Sequence, residues 1–196
     1  MERAVLKSKA KQAIKGNLWM IAAIFIVVFT SQMLLAYITS FVGGVVGLLL
    51  AGSITLALAM IFLELVKKHR KPQVEDLLFG FKNGNFGRGL IGYLRCTFFT
   101  FAWSLLLIVP GIIKWFSYSQ MFYLMADDPK LEPSEAQARS MEMMRGHKME
   151  LFNLYLSFMP WILLVVVTLG IGLIYVLPYL NATLAAYYIQ LKKVTK

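Results

Sequence analysis

The sequence is short of the residues that build most soluble active sites. Its 196 residues include one cysteine, Cys96, and two histidines, His69 and His147. A single cysteine cannot close an internal disulfide, so nothing points to an oxidising compartment. Two histidines far apart, with no second cysteine, give no metal-ligand spacing. Charged residues make up only 15% of the chain, against about 25% in soluble domains. The sequence carries no phosphate-binding glycine loop, nucleophile elbow or zinc-binding helix motif. The expectation is therefore a protein that is not an enzyme, with no catalytic residue, cofactor or metal.

What is there is apolar. Hydrophobic residues reach 59%, against roughly 45–50% in a soluble domain. A soluble fold of this size cannot hide that much apolar surface, so lipid must solvate part of it. About twenty helical residues cross a bilayer, and apolar runs of about that length recur. The reading is an all-α, polytopic membrane protein, one integral membrane domain over 1–196. Its expected membrane segments are about 18–38, 43–66, 89–109, 112–126, 150–169 and 171–190. The basic start resembles a signal peptide, but the run after it is longer than an h-region and lacks a cleavage site. It is read as a retained first helix.

Segment 112–126 is short, and 89–126 can also be read as one helix kinked at Pro110-Gly111. Charge separates the two readings. The basic clusters are Arg3 to Lys15, Lys67 to Lys71, Lys130 to Lys148 and Lys192 to Lys196. With six crossings, arranged as three hairpins, every cluster falls on one side, as the positive-inside rule requires. Both termini are then cytoplasmic, Pro110-Gly111 is an outside turn, and Lys114 snorkels near the outer interface. The net charge of +10 reads as orientation rather than as a nucleic-acid surface.

The polar segments look helical and amphipathic. In residues 1–17, Arg3, Lys7, Lys11 and Lys15 recur every four residues, beside an apolar face of Leu6, Ala10, Ala13 and Ile14. This suits a helix lying on anionic lipid; the other reading is a plain topogenic flank. A second cytoplasmic helix is expected over about 134–146, with Ser134 and Gln137 as a capping box. Gly16, Gly84 and Gly146, 68 and 62 residues apart, each precede an expected hairpin. Either they mark a threefold repeat of surface helix, break and hairpin, or helix ends entering a membrane simply favour such residues.

Inside the membrane segments, Gly43, Gly47, Ala51, Thr55 and Ala59 form a small-residue ridge for helix packing. Glu64 and Arg95 are candidates for a structural ion pair between neighbouring helices. Pro110, Pro160 and Pro178 are placed to kink or end helices, and Asn153, Asn181, Ser104, Ser117 and Gln120 to bond between them. Asp127-Asp128 before Pro129 is either a paired carboxylate for acid–base or Mg²⁺ chemistry or a loop and helix stop.

Several runs, in order, resemble a known family. They are Asp76 to Lys82, Trp103 to Lys114, Tyr118 to Met121, Ala126 to Pro129, Met144 to Lys148, Thr168 to Leu173 and Pro178-Tyr179, with Lys15-Gly16-Asn17 before them. Together they are similar to the bacterial membrane family catalogued as domain of unknown function 975. The family is also similar in organisation to the membrane domain attached to some glycerophosphodiester phosphodiesterases, whose catalytic domain has no counterpart here. The resemblance implies a helical protein of a bacterial cytoplasmic membrane. It implies no catalytic residues.

Three functions are compatible with these features. The first is a non-enzymatic protein engaging anionic lipids at the cytoplasmic face, a membrane protein partner or a second copy of itself. The alternative is a small transporter or export accessory for a peptide or hydrophobic compound. A membrane enzyme would rest on Asp127-Asp128 alone.

Overall fold

The computed structural model describes residues 3–38, 42–68, 70–82, 84–106 and 108–195, and among them there are helices and no strand. In order these are α1 (Arg3–Ile14), α2 (Leu18–Ile38), α3 (Val42–Lys68), a 3-10 helix (Val74–Gly80), α4 (Asn85–Leu106), α5 (Ile108–Tyr118), α6 (Met121–Asp127), α7 (Pro133–Met143), α8 (Lys148–Leu156), α9 (Met159–Val167) and α10 (Leu173–Val194).

Among the described residues two stretches are long and apolar enough to cross a membrane, Val46–Lys68 and Lys148–Val167, and α1 with α2 makes a third if that bent pair is one span, against the six crossings expected. The two helices of the pair meet at 89°, so α1 does not continue the line of α2. Large apolar side chains stand exposed on α2, the second half of α4, the start of α5 and α9. Phe29, Phe101, Leu105, Val109, Leu163 and Val167 are among them.

The core forms where α3 and α10 meet their neighbours. Leu56, Phe62 and Leu65 of α3 share one buried cluster with Met121 and Met125 of α6 and Ala182, Ala185 and Tyr188 of α10. Helices α3 and α4 cross with almost nothing between their backbones. A Cβ on Gly52 would run into the Gly89 carbonyl, and one on Gly80 into the Ser53 carbonyl. The tight approach thus uses Gly52, one position round from the expected ridge. On that ridge Ala59 is buried, while Gly47, Ala51 and Thr55 are half-buried. The surroundings of Gly43 lie outside the described residues.

The region from 89 to 126 differs from expectation. Pro110 and Gly111 are not a turn: they sit in the first turn of α5. A helix start tolerates proline because its missing N–H would have no partner there in any case. Gly111 packs against Ser104, so α4 and α5 double back on each other upstream of the expected turn. The expected single segment 112–126 is two helices, broken at Ser119-Gln120, and the eleven residues of α5 extend only about 16 Å. Helix α7 begins at Pro133, not Ser134. Its N-cap is Glu132, with no side-chain cap. The expected loop at 38–43 falls partly outside the described residues.

The three glycines share a geometry. Gly16, Gly84 and Gly146 have φ of 88°, 76° and 83°, the left-handed region that favours glycine. Each follows a short helix and precedes a more apolar one. The short helices pack on several others: the 3-10 helix on α2, α3 and α4, α7 on α4, α5 and α6, and α1 on α3 and α10.

Candidate functional site

The charged residues converge where α3, α6 and α10 end. Asp127, the last residue of α6, is the centre. Its Oδ1 accepts from Lys67 of α3 and its Oδ2 from Lys192 of α10. Tyr188 Oη donates to the same Oδ2 at 3.0 Å. A carboxylate at a helix C-terminus faces the negative end of the dipole, and the two ammonium groups offset that. Burial alone would push the Asp127 carboxyl up; the bonds from Lys192 and Lys67 outweigh it and hold it below the usual carboxylate range. Asp128 is employed differently, its Oδ1 accepting from the Lys130 backbone N–H at 3.0 Å in a local turn. The two carboxylates therefore do not act as a matched pair.

Arg88 closes the same helix end from the other side. Its Nη2 donates to the carbonyls of Leu131 (2.8 Å) and Asp128 (3.0 Å) and more weakly to Met125 (3.3 Å). Its Nη1 donates to Asn85 Oδ1 at 2.8 Å, and Asn85 Nδ2 donates to the Phe79 carbonyl at 2.9 Å. Neither Arg88 nor Asn85 was singled out from the sequence. Their i, i+3 spacing at the start of an apolar helix was the available signal.

Glu64 and Arg95 do not pair. Glu64 accepts from Arg70 at 2.6 Å and Lys68 at 3.2 Å, and Arg70 also reaches Asp76 at 2.7 Å. Arg95 instead donates to Gln137 Oε1 of α7 at 3.1 Å and lies over the Phe99 ring. A partner a few residues along the chain costs less ordering than one on another helix, and the Arg70 loop supplies it. The residues expected to bond between helices mostly bond inward. Ser104, Ser117 and Asn181 each donate to the carbonyl four residues back. The link between α5 and α7 comes from Ser140, whose Oγ donates to the Ser117 carbonyl and accepts from the Gln120 N–H.

The basic stripe of α1 divides. Arg3, Lys11 and Lys15 are exposed. Lys7 turns inward, donating from Nζ to the Ser157 carbonyl and standing 4.5 Å from the centre of the Phe158 ring. Burial, and then Arg3 nearby, lower its pKa from the ordinary lysine value. The apolar face, Leu6, Ala10, Ala13 and Ile14, is buried in the protein, with Leu6 clustered with Tyr187 and Leu191 of α10. A side chain packed there is not available to acyl chains. The apolar face of α1 is thus turned into the protein, and its exposed side carries Arg3, Lys11 and Lys15.

A family model described as a protein of unknown function, DUF975, matches residues 1–117 and 105–195. The chain belongs to the DUF975 family. No curated protein and no solved structure matches it, so the likeness to the membrane domain of glycerophosphodiester phosphodiesterases stays an expectation. The runs that resemble DUF975 lie at joints between helices. Asp76 takes the Gln73 N–H and Arg70, and Gly80 abuts Ser53. Lys114 stands over Trp103, 4.8 Å from the ring centre, beside the Gly111–Ser104 contact. Asp127 joins α3, α6 and α10, and the His147 carbonyl accepts from Tyr187 at 3.1 Å. In this DUF975 chain the motif residues hold helices together.

Proposed function

We propose that this DUF975 protein is a non-enzymatic, multi-pass protein of a bacterial cytoplasmic membrane, with both termini on the cytoplasmic face. Its basic end engages anionic lipid headgroups or a membrane protein partner. One observation carries this reading: α1 runs at 89° to α2, its apolar side faces the protein, and Arg3, Lys11 and Lys15 face outward. A helix lying flat beside an apolar one, cations outward, is matched to an anionic surface, where each cation contributes about 1 kcal/mol. The exposed side chains of α2, α4 and α9 support the membrane part, since a soluble monomer rarely exposes so much apolar surface.

The test is reconstitution in nanodiscs of mixed phosphatidylglycerol and phosphatidylcholine, followed by gentle extraction and native mass spectrometry. The wild type should retain phosphatidylglycerol in excess of its share, or a stoichiometric protein when extracted from cells. The triple variant Arg3→Gln, Lys11→Gln, Lys15→Gln should lose most of that excess. Neither enrichment nor a partner in the wild type would end this reading.

A further inference from the structure

A cavity of about 590 Å³ opens between α1, α3 and α10 at the charged end. Its wall includes Lys9 and Gln12 from α1, Val66 and Lys67 from α3, and Gln190 and Lys193 from α10. Three cations from three separate elements face one space, and no carboxylate is among the lining residues described. Of the three, Lys67 is engaged by Asp127. Lys9 and Lys193 form no ion pair among the described residues. Lysines in the last turns of α3 and α10 complement the helix dipoles, but Lys9 lies in the middle of α1 and has no such duty. Gln190 adds an acceptor in need: its Oε1 is buried and, among the described residues, without a donor. The volume falls within the range of small-ligand sites, roughly 300–1,000 Å³.

We infer that this cavity binds one phosphate-bearing polyol, the chemistry shared by a phosphatidylglycerol headgroup and free glycerol 3-phosphate. The ammonium groups of Lys9 and Lys193 take the phosphate oxygens, with Lys67 adding field from the third side. The two glutamine amides take the hydroxyls, and a hydroxyl is the donor that Gln190 Oε1 lacks. The inference deepens the proposed function by naming a discrete site, distinct from the exposed Arg3, Lys11 and Lys15.

The experiment is native mass spectrometry of the full-length protein in detergent, titrated with dioctanoyl-phosphatidylglycerol, with dioctanoylglycerol as the phosphate-free control. The wild type should take up one phosphatidylglycerol in preference to dioctanoylglycerol. Lys9→Gln with Lys193→Gln should weaken that event at least about tenfold, and Lys9→Arg with Lys193→Arg should keep it. Glycerol 3-phosphate that displaces the lipid identifies the headgroup phosphate as sufficient; failure to displace identifies the lipid as the source. In the wild type alone, acetylation of Lys9 and Lys193 should slow when the ligand is present. Equal uptake by the Gln variant, equal uptake of dioctanoylglycerol, or unprotected lysines would overturn the site. The Arg3, Lys11, Lys15 variant should keep the one-to-one event. Loss there with retention in the cavity variant would sink the cavity and leave the surface reading standing; loss in the cavity variant with retention there supports the cavity and leaves the surface reading to the nanodisc enrichment test.

Discussion

The ammonium of Lys7 donates to the backbone carbonyl of Ser157, 2.9 Å away and 150 positions along the chain. Ser157 is the C-cap of α8, where carbonyls lack helical partners and a cation is favoured. Lys7→Met keeps the stem and removes the charge. It is expected to lower stability by about 1–2 kcal/mol, read as a lower thermal unfolding midpoint in detergent. Lys11→Met, on the exposed side of the same helix, should leave the midpoint nearly unchanged.

Asp127→Asn should be the more damaging change of the two aspartates, by roughly 2 kcal/mol, because it leaves Lys67 and Lys192 facing a neutral group. Asp128→Asn keeps an acceptor for the Lys130 N–H and should cost little. The folded-state pKa of Asp127 lies below the ordinary value of 3.8. Its contribution is therefore full above that value. It begins to fall as pH drops through 3.8 and is gone below the folded-state value. Acid unfolding of Asp127→Asn should lack that component; an acid profile identical to wild type would remove Asp127 from the account.

Gly52→Ala should disrupt the α3–α4 crossing, since the added methyl meets the Gly89 backbone rather than a movable side chain. A loss of several kcal/mol, or failure to assemble, is expected. Gly87→Ala on α4 has open space around the new carbon and should be neutral or slightly stabilising, by up to about 1 kcal/mol. Circular dichroism melts of the two variants decide this.

The proposed orientation is tested on a Cys96→Ser background. A thiol introduced as Ile171→Cys should react with a membrane-impermeant maleimide on intact cells. Lys130→Cys and Lys11→Cys should react only after permeabilisation. The opposite pattern would invert the proposed topology.

The helical class was legible because apolar length is a strong signal. Helix α2 starts at Leu18 and α3 ends at Lys68, close to expectation, but the six crossings were not matched by as many long apolar helices among the described residues. The 89–126 region was less legible. Proline followed by glycine reads as a turn, but proline also suits a helix start, and composition does not separate the two. The break at Ser119-Gln120 depends on Ser140 arriving from α7, which no local pattern contains. For the same reason the stripe of α1 was visible but the inward turn of Lys7 was not: its carbonyl partner lies far along the chain. Arg88 serves three carbonyls from another element, and backbone acceptors leave no trace in a sequence.

The seating of α1 on α10 bears on biogenesis. Helix α1 has its landing surface on α10, which is synthesised about 160 residues later. Until α10 has been made, Leu6 has no Tyr187 or Leu191 to cover it. The nascent chain therefore carries an uncovered amphipathic arm until α10 is complete. A stop codon before Tyr187 should therefore release α1 to proteolysis while leaving the α3–α4 crossing intact.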